Sequence, residues 1–477
     1  MEKTNFSPFL FSFLFLIFSS ELQTFVLSSL PKPNSISPSP NNSWTAQAQA
    51  QAQNMSKLQN STVLNLVLRL EHVDALASGL SSEELLSLQL KRDAARANYI
   101  FARAGELGSN LYRRGNLSLQ LTGSVMPVNS IYSIRIGIGT SPRYMNVLLD
   151  TGSNVNWVQC LPCQKCYGQI DQIFDPTQSS SFWPFTCRSK VCRRLPESKC
   201  IRRTKTCGYQ VTYVGGSYSN GEYGSETMTF EGVRFQNVAF GCAHDDVNLF
   251  RANHYIAGIL GLSWSKSSFI SQIRDRFGYK FSYCLTDRFN SSQSSSIVFG
   301  PTWVSPGTVY TPLINKDNLY HMKLEGFSVG GVRVPGIKRK HFKIDFWGRG
   351  GVVIDSGSTI TFLTQPAYIA LRDAFRAATS SLKSSPGDSH FDTCYQFTSE
   401  NVSQFPVPTV VMHFKDADVS LRANNLMTAV GDFGRYCFAF TGTKSKMSII
   451  GNIQQQGIRV VYDLEQEKIG FDPRTCV

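Results

Sequence analysis

VLLDTGSNVNWVQC, residues 147–160, and VVIDSGSTITFL, residues 352–363, are the two stretches that decide how this chain reads. Each is an apolar run ending on a carboxylate, Asp150 or Asp355, followed by a small hydroxyl residue, a glycine and a serine. The two carboxylates stand 205 positions apart. One D-[ST]-G-[ST] match arises by chance in about three chains per hundred of this length. Two matches with the same apolar lead-in point to a duplicated unit. Two unrelated surface turns are the weaker explanation, although Asp, Ser and Gly favour turns.

A second element repeats with the first. AGILGLS, residues 257–263, follows Asp150, and SIIGN, residues 448–452, follows Asp355. Gly261 comes 111 positions after the first carboxylate and Gly451 comes 96 after the second. From about Ile131 onward run short β-branched and aromatic segments such as YSIRIGIGT, NVAFGCA, SIVFG, TVVMHF and YCFAFTG, punctuated by Gly, Pro, Asn and Ser. The chain therefore reads as mostly β, in two similar lobes. QPAYIALRDAFRAATSSL, after Thr364, is the clearest helix of the body, with Tyr368, Leu371, Phe375 and Ala378 on one face.

Two carboxylates facing each other across a pseudo-two-fold axis cannot both ionise cheaply, so they share a proton. The ionised member can take a proton from water, and the neutral member can polarise a peptide carbonyl. The chemistry asks for acid conditions and for neither metal nor cofactor. Gly152 and Gly357 permit tight turns whose amides reach the carboxylates. Thr151 and Ser356 are placed to tie one loop to the other, and Ser153 and Ser358 to hold the outer carboxylate oxygens.

Composition sets the bounds. The chain has 477 residues, 42% hydrophobic and 17% charged, which is globular and long enough for two or three domains. The net charge is +13, and only +2 of it lies before Met126. Lys3 precedes an apolar stretch, Pro8 to Phe18, that reads as a secretory signal within residues 1–25. Residues 26–122 begin as a Ser-, Pro- and Gln-rich low-complexity stretch and go on to SSEELLSLQLKRDAARANYIFARAG, which has helical periodicity. A removable pro-segment and a helical decoration both fit it. Residues 123–305 and 306–477 are expected to form the two lobes. Twelve cysteines behind a signal favour disulfides over a zinc site at CLPCQKC. Asn41, Asn54, Asn60, Asn116, Asn290 and Asn401 open glycosylation sequons.

The motifs DTGSNVNWVQCLPCQKCY, FDPTQSSSF, FGCAHDD, FSYCL, VVIDSGSTITFL, FDTCYQF and SIIGNIQQQGIRVVYDLEQEKIGFDPRTC resemble the pepsin-like aspartic proteinases, in their atypical plant, nepenthesin-like branch. The resemblance runs from about Ile131 to the C-terminus and is closest to the guard-cell and chloroplast-nucleoid types. It implies a bilobal β fold with a cleft, Asp150 and Asp355 as the catalytic dyad, and a β-hairpin flap carrying Tyr213. Trp157 stands where the family hydrogen-bonds that tyrosine. It also implies disulfides Cys394–Cys437 and Cys284–Cys476 and favours the removable reading of the pro-segment. The sequence sets no pairing for the eight cysteines from Cys160 to Cys242. One departure is visible: the branch usually reads Tyr-Gly-Asp-Gly-Ser at the flap, whereas this chain has Tyr213-Val214-Gly215-Gly216-Ser217. Gly215 removes a side chain expected to touch the substrate backbone.

The expectation is thus a secreted aspartic endopeptidase, monomeric, acting on protein or peptide substrates at acid pH, in the apoplast first and the vacuole or plastid next. Two rivals are weighed against it. The same plant fold includes glycosidase inhibitors that have lost catalytic residues, but both acid motifs are complete here. CRSKVCRRLPESKCIRRTKTC, residues 187–207, carries eight Lys and Arg against one Glu. Such an insertion suits non-specific contact with nucleic acid or cell-wall polyanions. Metalloprotease, serine-hydrolase and Walker motifs are all missing from the sequence.

Overall fold

The computed structural model describes residues 65–72, 93–94, 96–103, 132–213, 217–247, 254–286, 295–387, 391–399, 401–430 and 434–476. All lie within one compact unit, Thr62–Val477. The signal, most of the low-complexity stretch and the flap tip Val214-Gly215-Gly216 fall outside the described residues. No helix among the described residues is long and apolar enough to cross a membrane.

The structure is mostly β and bilobal. Strand Arg143–Asp150 ends on the first carboxylate and pairs in parallel with Gly258–Gly261, Gly261 opposite Asp150. Strand Gly351–Ile354 leads into the second and pairs in parallel with Met447–Ile450, Ile354 opposite Ile450. These partners are the two spaced glycine elements of the sequence. The likeness goes one strand further in each lobe. Trp157–Gln159 lies antiparallel to Gly258–Gly261 and parallel to the strand ending at Val247. Thr361–Thr364 lies antiparallel to Met447–Ile450 and parallel to Phe440–Thr443. Each acid strand thus lies between one parallel and one antiparallel neighbour, and its last residues are buried, which is why the lead-in runs are uniformly apolar.

A six-stranded antiparallel ladder joins the lobes. Its order is Leu66–Leu70, Ser295–Phe299, Lys280–Cys284, Arg459–Asp463, Lys468–Asp472 and Val309–Lys316. The first strand lies inside the segment read above as helical or low-complexity. It was legible as alternation: Leu66, Leu68 and Leu70 are buried, Val67 and Arg69 exposed. In the N-terminal lobe Tyr218–Phe230 and Val233–Val247 form a long hairpin. Its two-residue turn has Glu231 and Gly232 at φ 43° and 86°, the left-handed pair that matches the twist of flanking strands.

The body helix spans Gln365–Ala378 and buries Ala367, Tyr368, Leu371 and Phe375. Ala378, read above as part of that face, is exposed because Thr379 takes the buried place at the helix end. Six disulfides form: Cys160–Cys242, Cys163–Cys166, Cys187–Cys200, Cys192–Cys207, Cys284–Cys476 and Cys394–Cys437.

Candidate active site

The two acid loops meet at the centre of the molecule, and Asp150 and Asp355 are both fully buried. Thr151 and Ser356 tie them together. Ser356 N–H donates to Thr151 Oγ1 at 2.9 Å, and Thr151 N–H donates to Ser356 Oγ at 3.2 Å. Ser153 Oγ donates to Asp150 Oδ2, and Ser358 Oγ donates to Asp355 Oδ2 at 2.7 Å. Gly152 N–H donates to Asp150 Oδ1 at 2.9 Å. A Cβ on Gly152 would sit 3.0 Å from Asp355 Oδ1, and one on Gly357 3.0 Å from Asp150 Oδ1. Each glycine is thus pressed against the opposite carboxylate, which leaves no room for a side chain.

Further contacts hold these loops from behind. Asn452 N–H donates to Ser358 O at 2.7 Å, and Ser263 N–H donates to Ser153 O at 3.2 Å, equivalent bonds in the two lobes. Gln455 Nε2 donates to Asp355 O at 3.2 Å while its Oε1 accepts from Tyr283 of the ladder. Neither Asn452 nor Gln455 was singled out from the sequence, though both sit in the SIIGNIQQQ run. Tyr213 closes the hairpin over the site, its N–H donating to Ser217 O at 2.7 Å, and Trp157 Nε1 donates to Tyr213 Oη at 2.9 Å. Burial pushes the Tyr213 phenol well above its ordinary range.

A basic side chain occupies the space between the carboxylates. Residues 93–94 and 96–103 are helical, and Arg96 of this helix lies across the dyad. Its Nη1 donates to Asp150 Oδ2 at 2.8 Å and its Nε to Asp355 Oδ2 at 3.0 Å. A single nitrogen, Nη2, reaches both inner oxygens: Asp150 Oδ1, and Asp355 Oδ1 at 2.8 Å. Burial by itself would raise the Asp355 carboxyl. The Arg96 charge and hydrogen bonds, with Ser358 and Gly357, outweigh burial and hold it below the usual carboxylate range.

The same helix is anchored at both ends. Asp93 accepts from Thr359 N–H at 2.9 Å and Ile360 N–H at 2.8 Å. Arg103 Nη1 donates to Gly152 O at 2.5 Å, and its Nη2 to Asn154 Oδ1 at 2.7 Å and Asp317 O at 2.6 Å. Tyr99 packs on Tyr213 with ring centroids 5.8 Å apart. Ala97, Tyr99, Ile100 and Phe101 are buried in a cluster with Leu319, Val353, Ile360, Phe362 and Ile453. Burying a large apolar side chain is worth about 1.5–3 kcal/mol, so this face alone gives the helix firm hold. The sequence carried a signal for the buried face of this helix: Ala97, Ile100 and Phe101 follow the i, i+3, i+4 spacing of one apolar stripe.

Elsewhere, the insertion from Cys187 to Cys207 exposes all eight of its Lys and Arg, and none is in an ion pair among the described residues. Its single acid, Glu197, turns inward and accepts from Asn154 Nδ2 at 2.8 Å.

Two β lobes that each bring an acid loop to one shared centre define the pepsin-like acid protease class. Comparison with known proteins agrees. Residues 132–301 match the family model described as xylanase inhibitor N-terminal, and residues 319–473 the one described as xylanase inhibitor C-terminal. Aspartyl protease family protein 2 of Arabidopsis thaliana is 46% identical over 419 residues, 86% of this chain and 85% of the relative. Aspartic proteinase nepenthesin-1 of Nepenthes gracilis is 34% identical, over 87% of this chain and 91% of its own. Among solved structures, basic 7S globulin from soybean superposes with a TM-score of 0.57 at 20% identity, covering 72% of this chain and 93% of that one, which speaks to the fold alone. The chain belongs to the plant pepsin-like aspartic protease family.

Proposed function

We propose that the chain is an aspartic endopeptidase that hydrolyses peptide bonds at acid pH and is made as an inactive precursor. The observation that carries this reading is that one nitrogen of Arg96 bonds both inner carboxylate oxygens. The gap between Asp150 and Asp355 is therefore the size of a single bridging atom, the seat that a hydrolytic water requires. With Arg96 gone, the pair shares one proton. The ionised carboxylate takes a proton from the water as it attacks, and the protonated one hydrogen-bonds the scissile carbonyl. The nitrogen of the leaving amine then takes a proton from the dyad. No covalent intermediate forms.

With Arg96 in place, inhibition is twofold. The guanidinium fills the seat of the water, and by favouring the ionised form of Asp355 it removes the proton the reaction needs. Protonation of the dyad at low pH weakens its hold, and cleavage beyond residue 103 cuts the helix from the body chain so that it can swing out while the Leu66–Leu70 strand stays docked. Entry into the secretory pathway and an extracellular destination fit six disulfides. A purely binding role is the poorer reading, because both acid loops keep every side chain the chemistry uses.

The test is digestion of a peptide library at acid pH by the full chain, before and after acid incubation and with and without pepstatin. Pepstatin-sensitive cleavage that grows on incubation is expected and is lost in Asp150→Asn and Asp355→Asn. Undiminished cleavage by both variants would overturn the reading.

A further inference from the structure

The place where Arg103 sits is built only of acceptors. Gly152 O, Asn154 Oδ1 and Asp317 O converge on its guanidinium at 2.5, 2.7 and 2.6 Å. Asn154 is fixed with its oxygen facing the site: Ser263 Oγ donates to Oδ1 at 2.8 Å, and the amide nitrogen is held by Glu197 Oε1 at 2.8 Å. The other oxygen of Glu197, Oε2, is buried with no hydrogen-bond partner among the described residues. Lys316 nearby is itself paired with the Asp317 carboxylate at 2.6 Å. Three fixed acceptors and a carboxylate lacking a full set of donors make a cradle that is poorly satisfied unless a cation fills it.

We infer that this cradle is a substrate subsite for an arginine or lysine side chain, with Glu197 of the cysteine-stapled insertion as its positioning residue. The inference rests on the proposed protease activity and on departure of the helix that carries Arg103. Arg103 follows Arg96 by seven positions, about 10 Å of helix rise at 1.5 Å per residue. An extended peptide covers that distance in about three residues at 3.3 Å each. The basic side chain is therefore expected two to four residues from the scissile bond, on one side only. Glu197 also gives the insertion a role in the cleft that its exposed positive face does not suggest.

The test uses acid-incubated full chain and peptides that share one cleavable core. Each position from two to four residues on either side of the scissile bond carries arginine or its neutral isostere citrulline. Rates are read at the highest pH at which the citrulline peptides are still cut. At one position arginine should raise kcat/KM about tenfold, mainly through KM, the size of one charge-assisted hydrogen bond. In Glu197→Gln that ratio should shrink at least threefold, while the citrulline peptides are cleaved within twofold of the unsubstituted chain. A merely structural role for Glu197 would lower both rates together. Equal rates for arginine and citrulline at every position overturn the subsite and leave the protease reading intact. A ratio untouched by Glu197→Gln places the selectivity elsewhere and also overturns it. Absence of cleavage of any peptide removes both readings.

Discussion

Thr151 and Ser356 exchange hydrogen bonds across the molecular centre, Ser356 N–H to Thr151 Oγ1 at 2.9 Å and Thr151 Oγ1 to Ser356 Oγ at 3.2 Å. Neither group touches a carboxylate, yet together they set how far apart the two acid loops stand. Both residues are buried, so each lost bond leaves a polar group without water to replace it.

Thr151→Val tests this relationship. It keeps the shape and strands the Ser356 amide. An unsatisfied buried donor costs about 1–3 kcal/mol. Urea unfolding should show a loss of that size with an unchanged slope, and acid proteolysis should fall by more than the stability loss explains. Unchanged stability would mean that the loops are held by other contacts.

Arg96→Gln tests the plug. In the intact chain the Asp355 carboxyl lies below its ordinary value near 3.8, so the ion pair adds stability above that ordinary value and loses it as pH falls through the lowered one. Gln cannot supply the charge. The variant should begin to cleave peptides, and to process itself, at a higher pH than the unsubstituted chain. Monitoring chain length against pH between roughly 3 and 6, around the ordinary carboxylate range, reads the shift directly.

Tyr213→Phe removes the acceptor of the Trp157 indole N–H, now held at 2.9 Å. Trp157 is 1% exposed, so its donor has no access to water. The hairpin over the cleft loses its register with the first acid loop. A fall of about tenfold in kcat/KM is expected, together with a stability loss of about 1 kcal/mol.

Asp246 offers a test outside the acid loops. Its carboxylate is 4% exposed, on the strand paired with Ser219 behind the flap hairpin. Burial, aided by neighbouring Asp245, pushes it up to about 7, only partly offset by Ser219 and Asn220. Tyr167 and Tyr209 share its surroundings and add no cation. A raised carboxyl value means stability that is full below about pH 4 and is lost as pH rises through about 7. Thermal unfolding should therefore weaken toward neutral pH, by at most about 1.4 kcal/mol per pH unit from this group. Asp246→Asn should flatten the slope.

Much of this site was legible in the sequence because it is local. The acid loops, their hydroxyl and glycine neighbours and the spaced glycine elements each lie within a few residues of one another, and the strand pairing preserves the spacing. Arg96 was not legible for the opposite reason. Its partners lie 54 and 259 positions away, and nothing in KRDAARANYI marks one arginine as the plug. The pairing of the eight cysteines from Cys160 to Cys242 is likewise a property of folded proximity. The Leu66–His72 strand was missed although its alternation is plain, because the low-complexity composition before it and the helical periodicity after it dominate the reading. Glu197 hid inside a basic run, where the count of charges obscures the direction in which a single one points.

The outermost strand of the lobe-joining ladder has a consequence for what a processed molecule looks like. Leu66–Leu70 is held by five main-chain pairs to Ser295–Phe299 and by three buried leucines. The chain has no cysteine before Cys160, so nothing covalent ties this segment to the body once the backbone is cut. A cut between residues 103 and 132 would therefore yield a noncovalent heterodimer, a light fragment still seated as the sixth strand and a heavy one bearing the cleft. Intact-mass measurement under native conditions should find them together, and the same sample in denaturant should find two species.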